Sequence, residues 1–129
     1  MSGLEESDAL FFFEGKEREF ALYQALVEQL RGRIPDWRIQ VGKSQISLYG
    51  RRLFGAVSLP VRRKKGWPER CILATFGLGY RHPSPRIAVA VEPYPNRWTH
   101  HVLVERPEQI DEELLSWLQE AYAFAQSKK

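Results

Sequence analysis

Few side chains in this sequence of 129 residues could do chemistry, and they are unevenly placed. The histidines are His82, His100 and His101, and Cys71 is the single cysteine. His100 and His101 are adjacent in an alternating apolar stretch, so they point to opposite faces of a strand and are badly placed to share one ion. His82 falls in a loop, and no Cys/His spacing resembles a zinc site. No metal and no cofactor are expected. Cys71 heads an apolar stretch and reads as an inert buried thiol. Ser44, Ser47, Ser58, Ser84 and Ser116 lack the context of a nucleophile elbow. Acid–base catalysis needs a positioned carboxylate or histidine. In the middle of the chain the acids are Asp36, Glu69, Glu92 and Glu105, and a Glu92–His100 pairing across a hairpin is the combination to test. The GLGYRHP stretch lacks the spacing and the following helix of a phosphate-cradling loop. No catalytic residue is singled out, and a binding protein is expected sooner than an enzyme.

Anion binding has better support. Arg62, Arg63, Lys64 and Lys65 form a basic run beside Trp67, with Lys43 and the pair Arg51 and Arg52 in nearby turns. Arg97, Trp98 and His100 follow another bend. Clustered cations contact phosphates, and aromatic or guanidinium planes stack on bases. The net charge is +3, but its distribution is lopsided: −5 over residues 1–30, +10 over 31–105 and −2 over 106–129. A basic middle between acidic ends suggests an anionic partner. The ordinary alternatives are acidic helices that neutralise a basic sheet, cations that protect sheet edges, and tryptophans that simply pack.

The elements that must position these groups follow from periodicity. Phe20, Tyr23, Val27 and Leu30, widened by Leu22 and Leu26, predict a helix over about 16–31, stopped by Gly32 and Pro35. From Trp37 the period becomes two. Trp37, Ile39 and Val41 predict one strand; Ile46 and Leu48 a second; Leu53, Val57, Leu59 and Val61 a third, with Gly55 as a bulge or close contact. Residues 71–76 are apolar on both parities, as a central strand would be. Residues 86–105 predict a hairpin, Ile87, Val89 and Val91 answered by Val102 and Val104. Its ladder is expected to stop at Pro93-Tyr94-Pro95-Asn96, since proline lacks the amide donor. Asp111 is a good N-cap for a last helix whose apolar face is Leu114, Trp117, Leu118, Ala121 and Phe124 or Ala125. Residues 1–9 read as a flexible acidic tail ahead of one domain over 10–129.

Phe13-Glu14-Gly15-Lys16, Lys43-Ser44-Gln45-Ile46, Phe54, the R-x-T-H motif of Arg97 to His100 running into His101-Val102, and the D-x-x-L-x-x-W-L pattern of Asp111 to Leu118 with Ala121-Tyr122 occur in a distinctive order. In these the chain resembles a small bacterial family that carries only a "domain of unknown function" label, over about Leu10 to Ala125. The resemblance implies a helix, an antiparallel sheet and a helix, with Lys43, Arg97 and His100 as recurring polar positions. It brings no activity, and the basic run at 62–65 lies outside it.

The expected fold class is α+β: an antiparallel sheet of five or six strands with an N-terminal and a C-terminal helix on one face. The leading functional expectation is a non-enzymatic module whose basic sheet side binds an anionic partner, nucleic acid among the candidates. A second is a domain for a small phosphate-bearing ligand or nucleotide, enzymatic or not, using Lys43, Arg97 and His100 around a concavity. A third is a protein-interaction domain or homodimer. No apolar run approaches the roughly 20 residues of a membrane helix. The acidic start, the short Phe11–Phe13 run and the lone cysteine suggest the cytoplasm.

Overall fold

A computed structural model describes residues 3–60 and 65–127, with side chains from residue 8 onward. The helices are α1 (Gly3–Phe12), α2 (Glu17–Arg31) and α3 (Glu112–Gln126), the last preceded by a 3-10 turn at Pro107–Gln109. The strands are β1 (Arg38–Val41), β2 (Ile46–Tyr49), β3 (Leu53–Ser58), β4 (Ile72–Leu78), β5 (Ile87–Tyr94) and β6 (Arg97–Val104). They form one six-stranded sheet in the order β1-β2-β3-β4-β6-β5, every neighbouring pair antiparallel. The α+β class and the helix–sheet–helix plan hold.

The apolar stripe of α2 buries Leu22, Tyr23, Leu26, Val27 and Leu30. That of α3 buries Leu114, Leu115, Trp117, Leu118, Ala121 and Ala125. Both stripes share one core with Ile39, Ile46, Leu48, Val57, Ile72, Ala74, Phe76, Val102 and Val104 of the sheet. Strand residues alternate between faces, so this sheet face is covered and the other is open. At the start of α3 the Asp111 side chain accepts from the Leu114 amide at 3.1 Å, as its N-cap role requires.

Three local expectations need correcting. Residues 3–12 are helical, although residues 1–9 read as a tail. Ala9 and Phe13 are buried, and Phe13 rings against Phe12, Phe20 and Tyr23. The apolar contacts at Ala9, Phe12 and Phe13 share a helical face, which the run of acids before them hid. Gly15, at φ +75, then turns the chain into α2. Second, Gly32 does stand at the C-cap of α2, but right-handed at φ −78 and not in the left-handed form that favours glycine. Third, the 86–105 hairpin turns on Pro95 and Asn96 alone, with Tyr94 paired to Arg97 and Asn96 at φ +63. Pro93 is carried within β5 because that strand is at the sheet's edge, where a missing amide costs no ladder bond.

The strand order decides where the turns lie. The β1–β2 turn and the β3–β4 connection sit at one end of the sheet, and the β2–β3 turn at the other. Since β6 pairs with both β4 and β5, β5 runs parallel to β4, and residues 79–86 must travel the length of the sheet between them. That crossing puts the β5–β6 turn at the β2–β3 end. Among the described residues no helix is long and apolar enough to cross a membrane.

Candidate anion-binding groove

Among the described residues the expected cations do not form one patch. Lys43 is exposed in the β1–β2 turn, and exposed Lys65 lies in the β3–β4 connection at the same end. Half-buried Trp67 belongs to that connection too. Arg62, Arg63 and Lys64 lie outside the described residues. Arg51, Arg52 and Arg97 are exposed at the opposite end. Trp98 is half-buried there, with the Arg81 guanidinium 5.9 Å from its ring centre. Other cations of the basic middle have acidic partners on α3. Arg33 pairs with Glu112, whose carboxyl is held down at about 2. Arg86 pairs with Asp111 at 2.8 Å and Glu113 at 3.1 Å. Burial works against the Asp111 charge, yet the Leu114 amide and Arg86 hold its carboxyl below the ordinary range.

His100 is not at a rim. It has no exposed surface and stacks on Phe76, ring centres 4.9 Å apart. Its Nε2 accepts from the His82 amide at 2.9 Å, so the neutral ring carries its hydrogen on Nδ1. Burial pushes this imidazole below its ordinary value, the His82 and His101 rings add to that, and the Phe76 and Trp98 carbonyls oppose it only in part. The His82 ring in turn lies between two donors: the Ser84 amide is 3.2 Å from Nδ1 and the Trp117 indole Nε1 is 3.1 Å from Nε2. Together these contacts fasten the 79–86 crossing over the covered face. The second functional expectation therefore loses its geometry. Lys43, Arg97 and His100 occupy one end, the other end and the core. The Glu92–His100 pair is not formed either: His100 is opposite Ala90, and Glu92 accepts from the Asn96 amide at 3.0 Å. Cys71 is buried with its Sγ 3.8 Å from the Pro68 carbonyl.

What the structure does build is a groove of about 610 Å³ along β3, β4 and β6. Its floor comes from open-face positions: Ala56 opposite Thr75, Thr75 opposite His101, Gly77 opposite Thr99. Apart from His101 these are small residues, and the floor lies low for that reason. The Thr75 Oγ1 and His101 Nδ1 are 2.8 Å apart, a hydrogen bond between neighbouring strands. Arg52 and Leu53 wall one side of the turn end, and Pro93, Tyr94 and Arg97 the other. The pairing of β3 with β4 ends at Gly55 and Phe76. Past that point Ala121, Phe124 and Ala125 of α3 complete the wall. Gln45 and Ser58 line the far end. The lining contains two arginines and a histidine and no aspartate or glutamate.

Sequence reasoning named Arg52, Arg97 and Trp98 of this lining and missed Thr75, His101, Tyr94, Ser58 and Gln45. A signal was present. The parity of the central strands opposite the bulky one carries Ser47, Ala56, Ser58, Thr75, Gly77 and Thr99 beside Leu73 and Leu103, a run of small and polar positions that the covered face lacks. Among the described residues no three His, Cys, Asp or Glu side chains are grouped to hold a metal ion.

A family model described as a domain of unknown function, DUF5655, matches residues 11–125. No curated protein and no solved structure matches the chain.

Proposed function

The chain belongs to the DUF5655 family, and as that membership brings no activity with it, we propose a function from the groove: a non-enzymatic binding module that holds an anionic partner on the open sheet face. Arg52 and Arg97 hold the anion, and the Thr75–His101 floor meets the rest of the partner. The observation that carries this reading is the lining itself, with arginine on both walls and no carboxylate to cancel it. Guanidinium forks suit phosphate and carboxylate oxygens. The wide basic surface that the charge distribution suggested is replaced by this narrower one.

Calorimetric titration of the full chain with pyrophosphate at low and high ionic strength tests it. Binding that weakens steeply with salt, and at least ten-fold with R52A/R97A, is the expected result. Absence of binding at low ionic strength overturns it. A single cysteine in the sequence suits the reducing cytoplasm, where we place the module. A second reading, self-association or protein contact, has one observation in its favour: Leu10 and Phe11 of α1 are 59% and 75% exposed side by side. Sedimentation that shows a monomer at all concentrations removes it.

A further inference from the structure

The groove is charged at one end only, and that polarity bears on the class of ligand. Arg52 and Arg97 stand at the turn end, where the lining also has the apolar side chains of Leu53, Phe124 and Tyr94. Toward the other end the lining passes through Thr75 and His101 to Ser58 and Gln45, none of them an acid or a fixed cation. Resting on the anion-binding reading above, we propose that the ligand is a phosphomonoester of nucleoside size. Its phosphate lies between the two arginines, its apolar part lies against the Phe124–Tyr94 wall, and its hydroxyls meet the Thr75–His101 floor.

Three observations favour this small ligand over a nucleic-acid strand. A volume of about 610 Å³ lies within the range of small-molecule sites and would enclose one such molecule. A strand carries a phosphate at every nucleotide and is held by cations spread along its path, whereas the cations of this groove are gathered at one end. Sheets that read single strands stack bases on aromatic side chains of their central strands. Here those positions are Ala56, Thr75 and Gly77. The Tyr49 ring lies beneath the Arg38 guanidinium at 5.1 Å, while Tyr94 at the groove's rim is 66% exposed. Two guanidiniums also match the double charge of a phosphate monoester better than the single charge of a carboxylate.

The test is a titration panel on the full chain, with adenosine and uridine 5′-monophosphate, glucose 6-phosphate, the parent nucleosides, inorganic phosphate and a twelve-nucleotide oligothymidylate. The proposal expects at least one monoester to bind ten-fold or more tighter than inorganic phosphate and than its unphosphorylated parent. Amide shifts on binding should centre on Thr75, Thr99 and His101. R97A should weaken that monoester at least ten-fold while its urea unfolding midpoint stays that of the parent chain, which separates lost binding from lost folding. If no monoester exceeds inorganic phosphate, or the oligonucleotide alone binds, this assignment fails while the anion-binding reading stands. If no anion in the panel binds, both fall.

Discussion

His100 and His101 are neighbours in the chain and belong to different parts of the molecule. His100 lies on the covered sheet face, fully enclosed, stacked on Phe76 and bonded to the 79–86 crossing. His101 lies on the open face, half-buried, bonded to Thr75 on a floor of small residues. One face spends its side chains on packing, with bulky aliphatic and aromatic groups under two helices. The other carries small hydroxyls and leaves a groove. The difference teaches that strand parity can separate packing from an open lining: His100, Val102 and Val104 of β6 are buried in the core, whereas Arg97, Thr99 and His101 line the groove.

Substitutions on either face can break or sharpen that division. The largest effect is expected from Phe76→Ala, which removes a ring packed between His100 and Trp117. It should cost about 3–5 kcal/mol in urea unfolding. If it costs no more than a substitution on the floor, the division is wrong. Next is Gly55→Ala. A Cβ there would lie 2.9 Å from the Thr75 carbonyl oxygen and 3.4 Å from Leu118. Crowding of that kind costs about 1–3 kcal/mol, readable as a lower thermal midpoint. Asp111→Ala removes the cap of α3 and one Arg86 contact. A loss of about 1 kcal/mol is expected, and an unchanged midpoint would show that the 3-10 turn secures the helix without it.

Mild acid acts through the covered face in the same direction. The His100 ring is held below its ordinary value in the fold, so the unfolded chain takes up a proton first. Its contribution to stability is complete above the unfolded value, near 6.5, and is lost as pH falls through the lower folded value. His100→Gln should flatten the stability profile just below pH 6.5. The smallest effect on folding belongs to Arg52→Ala and Arg97→Ala, within about 0.5 kcal/mol of the parent chain, since neither side chain makes a recorded bond among the described residues. A larger loss would mean that the groove's rim is structural.

Much of this was legible in the residues. Period-two alternation placed β1 to β3, β5 and β6, a run apolar on both parities placed β4, helical spacing placed α2 and α3, and parity alone separated His100 from His101. What escaped was long-range. In an up-and-down sheet with a β4–β5 hairpin, the β5–β6 turn would fall beside the β1–β2 turn, and Arg97 would join Lys43 and Lys65 there. The order β4-β6-β5 turns that hairpin over and sends Arg97 to the end that holds Arg52. No local propensity encodes the exchange. It depends on which strand pairs beside β4, and the contacts that accompany it, Tyr80 with Glu120 and His82 with Trp117, join residues far apart in the chain. The helix over 3–12 escaped for a different reason: its acidic first residues read as solvated.

The two donors aimed at His82 have one last consequence. A neutral imidazole has a single ring nitrogen with a lone pair to offer, and an imidazolium has none. Ser84 and Trp117 therefore compete for one acceptor, and in every protonation state at least one of them goes unserved. The crossing from strand to strand is thus latched by a proton that must choose between Nδ1 and Nε2. Relocating that proton swaps which neighbour is gripped, the backbone or the last helix, while the fold around it stays as it is.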